Sequence, residues 1–398
     1  MSDPSPRRYD LDWIRIGAFF LLILYHVGMF YVPWDWHVKS PQPLAWLEPV
    51  MLATNPWRLS LLFLVSGAAT RFMADKLAPN TLAGQRTARL LPPLVFGMLI
   101  VVPPQSYYEI VEQLGFDQGY LAFYGRYLTA SGNWCDADGC LITPTWNHLW
   151  FVAYLLVYTL VLAGLIAWAR PALLRLEQAL ERLPAWALLL IPIALLGLAR
   201  AILLPRFGVT HALVDDWYNH VLSFSMFLFG YLAAKSEIIR GRLIGLRWPA
   251  LILALGAYLA FSHYAWTWRD AATDPAASLV LVMRFVYAVD QWCAIAAILG
   301  FGARHLNRGH PALSYLTLAV FPYYIVHQTV IVVAGHHLAQ AGLPQGVEAA
   351  LLIGLTVAAC GATYEVVRRV ALLRPLFGLK PQAPVVTTTE PVLPVQNG

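Results

Sequence analysis

The sequence predicts an all-α, polytopic membrane protein of about ten transmembrane helices around a polar cavity. The composition is the first reason. Of 398 residues, 59% are hydrophobic and only 12% are charged, half the roughly 25% of a soluble globular chain. The second reason is a recurrence of apolar runs long enough to cross a bilayer. The third is the distribution of lysine and arginine, which alternates from one side of the chain's spans to the other. The formal net charge of +5 carries little weight alone, because membrane proteins place basic residues by side.

The spans are expected near 13–33, 57–74, 90–106, 146–168, 186–204, 218–234, 248–266, 279–303, 313–335 and 347–371. The run after Arg15 is too long for the apolar region of a signal peptide and lacks a small-residue cleavage site, so it reads as an uncleaved first span. Pro92, Pro93, Pro103, Pro192 and Pro322 fall inside or at the ends of spans, where membrane helices tolerate them. The third span, flanked by prolines, is the weakest by pattern. Twenty basic residues fall on the side of the N-terminus, among them Arg7, Arg8, Arg71, Arg86, Arg89, Arg240 and Lys380. Four fall on the other side: Lys39, Arg126, Arg206 and Arg269. That split places both termini in the cytoplasm of a multi-pass protein of the bacterial inner membrane. One membrane domain is expected over 1–381, with a loose cytoplasmic tail over 382–398. The longest outer loop, near 107–145, holds Cys135 and Cys140, whose spacing suits a small disulfide in an oxidising exterior or two free thiols. Cys293 and Cys360 fall inside spans and read as packing residues.

Costly polar groups mark where the chemistry lies. Arg15 and His26 are eleven residues apart, which puts them on one helix face within roughly 20° and about 16 Å apart along the axis. His327 falls at a similar depth in the ninth span. His148 opens the fourth span, Arg58 opens the second, and Arg200 nears the end of the fifth. Arg284, Asp290 and Gln291 lie in the outer half or middle of the eighth. Each alone is accounted for by interfacial anchoring or a partner on a neighbouring helix, and Asp290 by neutralising Arg284. Together they point to a water-accessible cavity open to the exterior. His26, His327 and His148 are the candidate catalytic residues. Arg58, Arg284 and Asp290 are the candidates for substrate binding.

Other chemistries leave no trace. Ser66-Gly67 lacks the Gly-x-Ser-x-Gly elbow, and there is no P-loop, dinucleotide fingerprint or His-Glu-x-x-His helix. No metal site is expected. The basic residues are explained by membrane orientation, so no nucleic-acid partner is expected either. A histidine acting as base or nucleophile, reached from outside, remains. The competing class is a transporter or flippase of a polar or glycan substrate; the lack of an evident internal repeat weighs against it.

Four elements resemble one family. Leu11-Asp12-x-Ile14-Arg15 followed by ten residues and His26 is similar to the Arg-x10-His signature of the acyltransferase-3 family of integral membrane acyltransferases. Phe63-Leu64-Val65-Ser66-Gly67 resembles its Phe-x-x-Ser-Gly element. His148-Leu149-Trp150-Phe151 and Tyr324-Ile325-Val326-His327 resemble its later His-Leu-Trp-Phe and Tyr-x-x-His elements. Trp36-His37-Val38-x-Ser40, Arg58 eight residues before Ser66, Tyr364-Glu365, and Leu376-Phe377-Gly378-x-Lys380-Pro381 resemble features of the family's branch acting on periplasmic glucans. Gln328 and Ala68 depart from the pattern, which expects a second histidine and an aromatic there, and leave the acyl group and acceptor open. The resemblance implies a membrane O-acyltransferase. The donor would be cytoplasmic acyl-CoA (succinyl-CoA or acetyl-CoA), and the acceptor a hydroxyl of an extracytoplasmic carbohydrate such as a periplasmic glucan. Arg15, Arg71, Arg86 and Arg89 would then receive the polyanionic donor.

Overall fold

The computed structural model describes residues 7–135 and 139–381. The tail expected from Gln382 onward lies outside the described residues. The first helix, α1 (Tyr9–Tyr31), starts with Asp10 and Asp12 in its first turn, where carboxylates favour the positive end of the helix dipole. It ends at Val32, before Pro33. Lys39 folds back there and donates to the carbonyls of Met29 and Trp34, each at 2.7 Å, and to that of Val32. Burial pushes the Lys39 ammonium down to about 8. A short α2 (Leu47–Leu52) leads to α3 (Arg58–Ala74).

Helix α4 (Pro79–Phe96) runs through a π-helical stretch, Gly97–Val101, into α5 (Pro103–Leu114). Together they form one apolar path of 36 residues, in place of the shorter span expected over 90–106. Pro79 supplies a preset first helical position. The charged Arg86, which hides the helix from an apolar-run reading, is buried and bonded to Thr70 Oγ1 at 2.5 Å. Outside the bundle, α6 (Gly119–Leu128) packs on a two-stranded hairpin of β1 (Trp134–Cys135) and β2 (Cys140–Leu141) through Phe123 and Trp134. Cys135 and Cys140 face each other across the hairpin and form the disulfide. The thiols of Cys293 and Cys360 are free and buried.

The chain continues through α7 (Trp150–Trp168), a surface helix α8 (Arg170–Arg182), α9 (Ala187–Ile202), a short α10 (Leu204–Phe207) and α11 (Trp217–Ala233). Long helices α12 (Glu237–Trp268) and α13 (Ala277–His305) form a hairpin. They are followed by α14 (Pro311–Ala339), α15 (Gln345–Val367) and the short α16 (Leu373–Leu376). Among the described residues, eight helical segments are long and apolar enough to cross a membrane. Helices α3 and α11, 17 residues each, span about 26 Å at the short end of the transmembrane range. The spans expected over 57–74 and 218–234 fall on these two.

Helices α3 and α11 cross at a pair of glycines. Gly67 lies on the carbonyl of Phe227, and Gly230 on the carbonyl of Leu64, so a methyl at either would overlap backbone. This reciprocal glycine crossing is how membrane helices gain packing energy without a hydrophobic drive between them. It gives the Ser66-Gly67 element a structural purpose.

Candidate active site

Three imidazoles from three helical segments converge: His26 of α1, His148 in the one-turn helix Asn147–Leu149 that opens α7, and His327 of α14. The ring centroids of His26 and His327 are 5.0 Å apart, and those of His148 and His327 are 5.2 Å apart. All three catalytic candidates from the sequence therefore share one place.

Proton accounting assigns their states. His327 Nδ1 lies 2.7 Å from the carbonyl oxygen of Tyr324, which only accepts, so Nδ1 carries the hydrogen. In the neutral ring Nε2 then holds a lone pair. His26 Nδ1, 2.7 Å away, must donate to it. The lone pair of His26 is left on Nε2, which no described residue engages. His327 is fully buried and His148 is 7% exposed, whereas His26 retains accessible surface. The one unengaged imidazole nitrogen thus sits on the one accessible ring. His148 has both nitrogens committed. Nε2 donates to the carbonyl of Ile325 at 3.0 Å, and Nδ1 receives the Gln105 amide at 3.4 Å.

A polar seam extends outward from this cluster. Thr329 gives its only hydrogen to the Val101 carbonyl at 2.6 Å, so it accepts from Gln105 Nε2 at 2.7 Å. Gln105 Oε1 is thereby turned toward Gln328 Nε2 at 3.0 Å and Asn147 Nδ2 at 3.2 Å. Gln328 Nε2 also donates to His37 Nε2 at 2.9 Å, and His37 Nδ1 to Glu109 at 2.6 Å. One nitrogen of Gln328 donates twice, which a neutral imidazole nitrogen cannot do. That explains glutamine where a second histidine was expected. Trp36 stacks over His26 at 6.4 Å and leans on His37 at 5.4 Å. Gln105 and Glu109 did not stand out as site residues in the sequence. Their signal was readable: Gln105, Glu109 and Glu112 repeat at helical spacing as one polar stripe on α5.

The other sequence candidates separate into two ends. Where the termini lie, Arg15 and Asp12 line a cavity of about 510 Å³ with Arg7, Lys76 and Lys235. Arg89 lines a neighbour of about 750 Å³ with Lys76, Gln85 and Lys380, and the two cavities share Phe72 and Lys76. Arg15 is 3.8 Å from Asp12 and donates to the Thr317 carbonyl at 3.3 Å. Arg71 is committed to Glu177 at 2.9 Å and Asp75 at 3.1 Å, and Arg86 is sealed in against Thr70. At the far end, Arg58 stacks on Tyr25 and Arg284 donates to the Ala201 carbonyl at 3.2 Å. Asp290 is 2% exposed and makes no ion pair with Arg284, so the two do not neutralise each other.

Comparison with known proteins gives the family. The family model described as an acyltransferase domain, acyltransferase 3, matches residues 8–365. Relatives named glucans biosynthesis protein C are each 24% identical to this chain over 400 residues, covering 96% of it and 97% of their own length. They include those of Salmonella paratyphi B (strain ATCC BAA-1250 / SPB7), Salmonella enteritidis PT4 (strain P125109) and Salmonella choleraesuis (strain SC-B67). No solved structure matches the chain. With a family match over nearly its whole length, and with the Arg-x10-His, His-Leu-Trp-Phe and Tyr-x-x-His elements on the segments that build the histidine cluster, the chain belongs to the acyltransferase-3 family and is a membrane acyltransferase.

Proposed function

We propose that the protein moves an acyl group, succinyl or acetyl, from cytoplasmic acyl-CoA to a hydroxyl of an extracytoplasmic carbohydrate such as a periplasmic glucan. The protein would lie in the bacterial inner membrane with both termini in the cytoplasm. The observation that carries the reading is the free lone pair on His26 Nε2, set on the accessible ring of an otherwise committed cluster. In this reading His26 Nε2 takes the proton of the acceptor hydroxyl as its oxygen attacks the thioester carbonyl. The carbon–sulfur bond then breaks, and the thiolate of coenzyme A leaves and takes up a proton. His327 accepts the other side of the His26 ring and shares the positive charge as it forms. The two basic cavities support a polyanionic donor at the opposite end. Arg15 and Arg89 sit at their walls, whereas Arg71 and Arg86 serve the fold.

The test uses proteoliposomes, acyl-labelled coenzyme A and a glucan. Label is expected on the glucan with the native protein. His26→Ala is expected to lower the rate by about 10²–10⁴ in a protein that still folds. Movement of unmodified glucan without label transfer would make the protein a transporter instead.

A further inference from the structure

One cluster at the end of the bundle that carries the N-terminus takes no part in the chemistry above. It is built around Tyr364-Glu365, in the last turn of α15. A cavity of about 500 Å³ opens there, lined by Leu318 of α14 and by Tyr364, Arg368, Arg369 and Arg374. Among the described residues the three guanidiniums share a single carboxylate. Glu365 Oε2 takes Arg368 Nε at 2.9 Å and Arg369 Nη2 at 2.7 Å, while Oε1 accepts from the Tyr315 hydroxyl at 2.8 Å. Arg374 has no carboxylate within 4.0 Å. Two carbonyls hold it instead: Nε donates to that of Lys380 and Nη1 to that of Arg368, each at 2.8 Å. Its Nη2 stays free for another acceptor.

Tyr364 adds a third kind of donor. The residue is 3% exposed and packs on Tyr315. Its hydroxyl meets no hydrogen-bond partner among the described residues, and it lies within electrostatic reach of both Arg368 and Arg374. The sidedness of basic residues in membrane proteins explains arginines at this end. It does not explain a guanidinium fixed by two carbonyls, or a buried hydroxyl left unbonded beside it. Polar groups that a fold buries are normally bonded, so these donors are set for an acceptor that comes from outside the chain.

The surface above the cluster describes that acceptor. Ile353, Val357, Tyr364 and Arg368 fall within about 60° of one another around α15. Ile353 and Val357 are exposed, as is Leu318 in the cavity wall. Toward the middle of the membrane the site therefore continues as a hydrocarbon surface, and at the membrane edge it ends in donors with excess positive charge. Arg15 and Arg89, which line the two basic cavities, do not line this one.

We propose that the cavity binds the phosphate of an anionic phospholipid, with the acyl chains along Ile353 and Val357. Arg368, Arg374 and the Tyr364 hydroxyl donate to the phosphate oxygens. The planar fork of arginine suits that geometry, and basic pockets between helices at a membrane edge are where such headgroups bind. The site stands apart from the acyl-transfer reading, and its test needs no turnover.

Binding is measured on the purified full-length protein in detergent, by native mass spectrometry with phosphatidylglycerol and phosphatidylcholine at equal concentration. The native protein is expected to prefer phosphatidylglycerol about tenfold or more. Arg368→Gln with Arg374→Gln is expected to abolish the preference. Arg170→Gln with Arg175→Gln removes the same charge from the exposed α8 and is expected to keep it. An equal loss in the two pairs would reduce the effect to diffuse attraction and overturn the site. So would an unchanged preference in the first pair, or none in the native protein. Tyr364→Phe keeps the packed ring and so tests the site in a folded protein. It is expected to weaken phosphatidylglycerol about fivefold, and unaltered binding would overturn the assignment. Excess inorganic phosphate or coenzyme A is expected to leave the lipid bound. Displacement by either would give the cavity to a soluble phosphate and overturn the lipid.

Discussion

At the residue scale the site is a matter of where hydrogens sit. The Tyr324 carbonyl fixes His327, His327 fixes His26, and the lone pair emerges at His26 Nε2. His327 thus acts through His26. Replacing it with phenylalanine keeps the bulk but removes the acceptor for His26 Nδ1–H. The expected result is a loss of roughly 10² in kcat with KM for the donor changed less than twofold. A rise in KM with kcat intact would place His327 in binding instead. In the proposed reading Arg15 serves the other substrate, the donor. It lines the basic cavity and still has a buried Nε without a partner. Arg15→Lys keeps the charge and loses the planar fork, so KM for acyl-CoA is expected to rise several-fold while that for the acceptor holds. Unchanged donor kinetics in a correctly inserted protein would leave Arg15 as an anchor.

At the element scale two devices hold the bundle and its loops in place. One is the glycine crossing of α3 and α11. Gly67→Ala forces a methyl against the Phe227 carbonyl and is expected to cost about 1–3 kcal/mol, read as a lowered unfolding temperature in detergent. Gly84→Ala, where an added methyl meets nothing, is the matched control. The other device is the loop before α11. His211, Leu213 and Asp215 all adopt left-handed backbone there, at φ 55°, 69° and 58°, which is strained for residues other than glycine. Asp216 holds them, accepting from Tyr154 Oη at 2.6 Å, Asn219 Nδ2 at 2.9 Å and the backbone N–H of His211 at 3.1 Å. Burial pushes this carboxyl up, but the hydrogen bonds outweigh it and hold it below the usual carboxylate range. A lowered folded pKa gives stability that is complete above the unfolded value, near 3.9, and is lost as pH falls through the folded value. Asp216→Asn is expected to lose about 1–3 kcal/mol and to flatten the acid limb of the stability profile below about pH 4. An unchanged acid limb would assign that limb to other carboxylates.

At the scale of the whole molecule the basic cavities and the histidine seam lie at opposite ends. The basic cavities open where Arg7, Lys76 and Lys380 gather, and the histidine seam runs the other way to Glu109 and the outer loop. The disulfide hairpin gives a handle on direction. With Cys293 and Cys360 buried, a membrane-impermeant thiol reagent applied to intact cells after mild reduction is expected to label Cys135 and Cys140 alone. Labelling only after lysis would reverse the topology and place the histidine seam toward the cytoplasm.

The sequence by itself determined the membrane class, the long apolar helices and the histidines. These follow from composition and from periodicity along single helices, where hydrophobic length, the sidedness of arginine and the rarity of intramembrane charge are local properties. His26 and Arg15 on one face of α1 is such a property. Tertiary structure alone decided which polar groups meet. Arg71 and Arg86 look like Arg15 and Arg89 in the sequence, yet Glu177, 106 residues away, takes one and Thr70 the other. Asp290 and Arg284 lie on one helix and still do not pair. Gln105 and Glu109 join the site because α5 packs on α14, and Gln328 reads as a departure until its amide is seen donating to both Gln105 and His37. The physical reason is the bilayer. It lets any helix hide an apolar face, so the sequence fixes each helix singly. The hydrogen bonds and ion pairs that buried polar groups require are made between helices, and only their packing selects the partners.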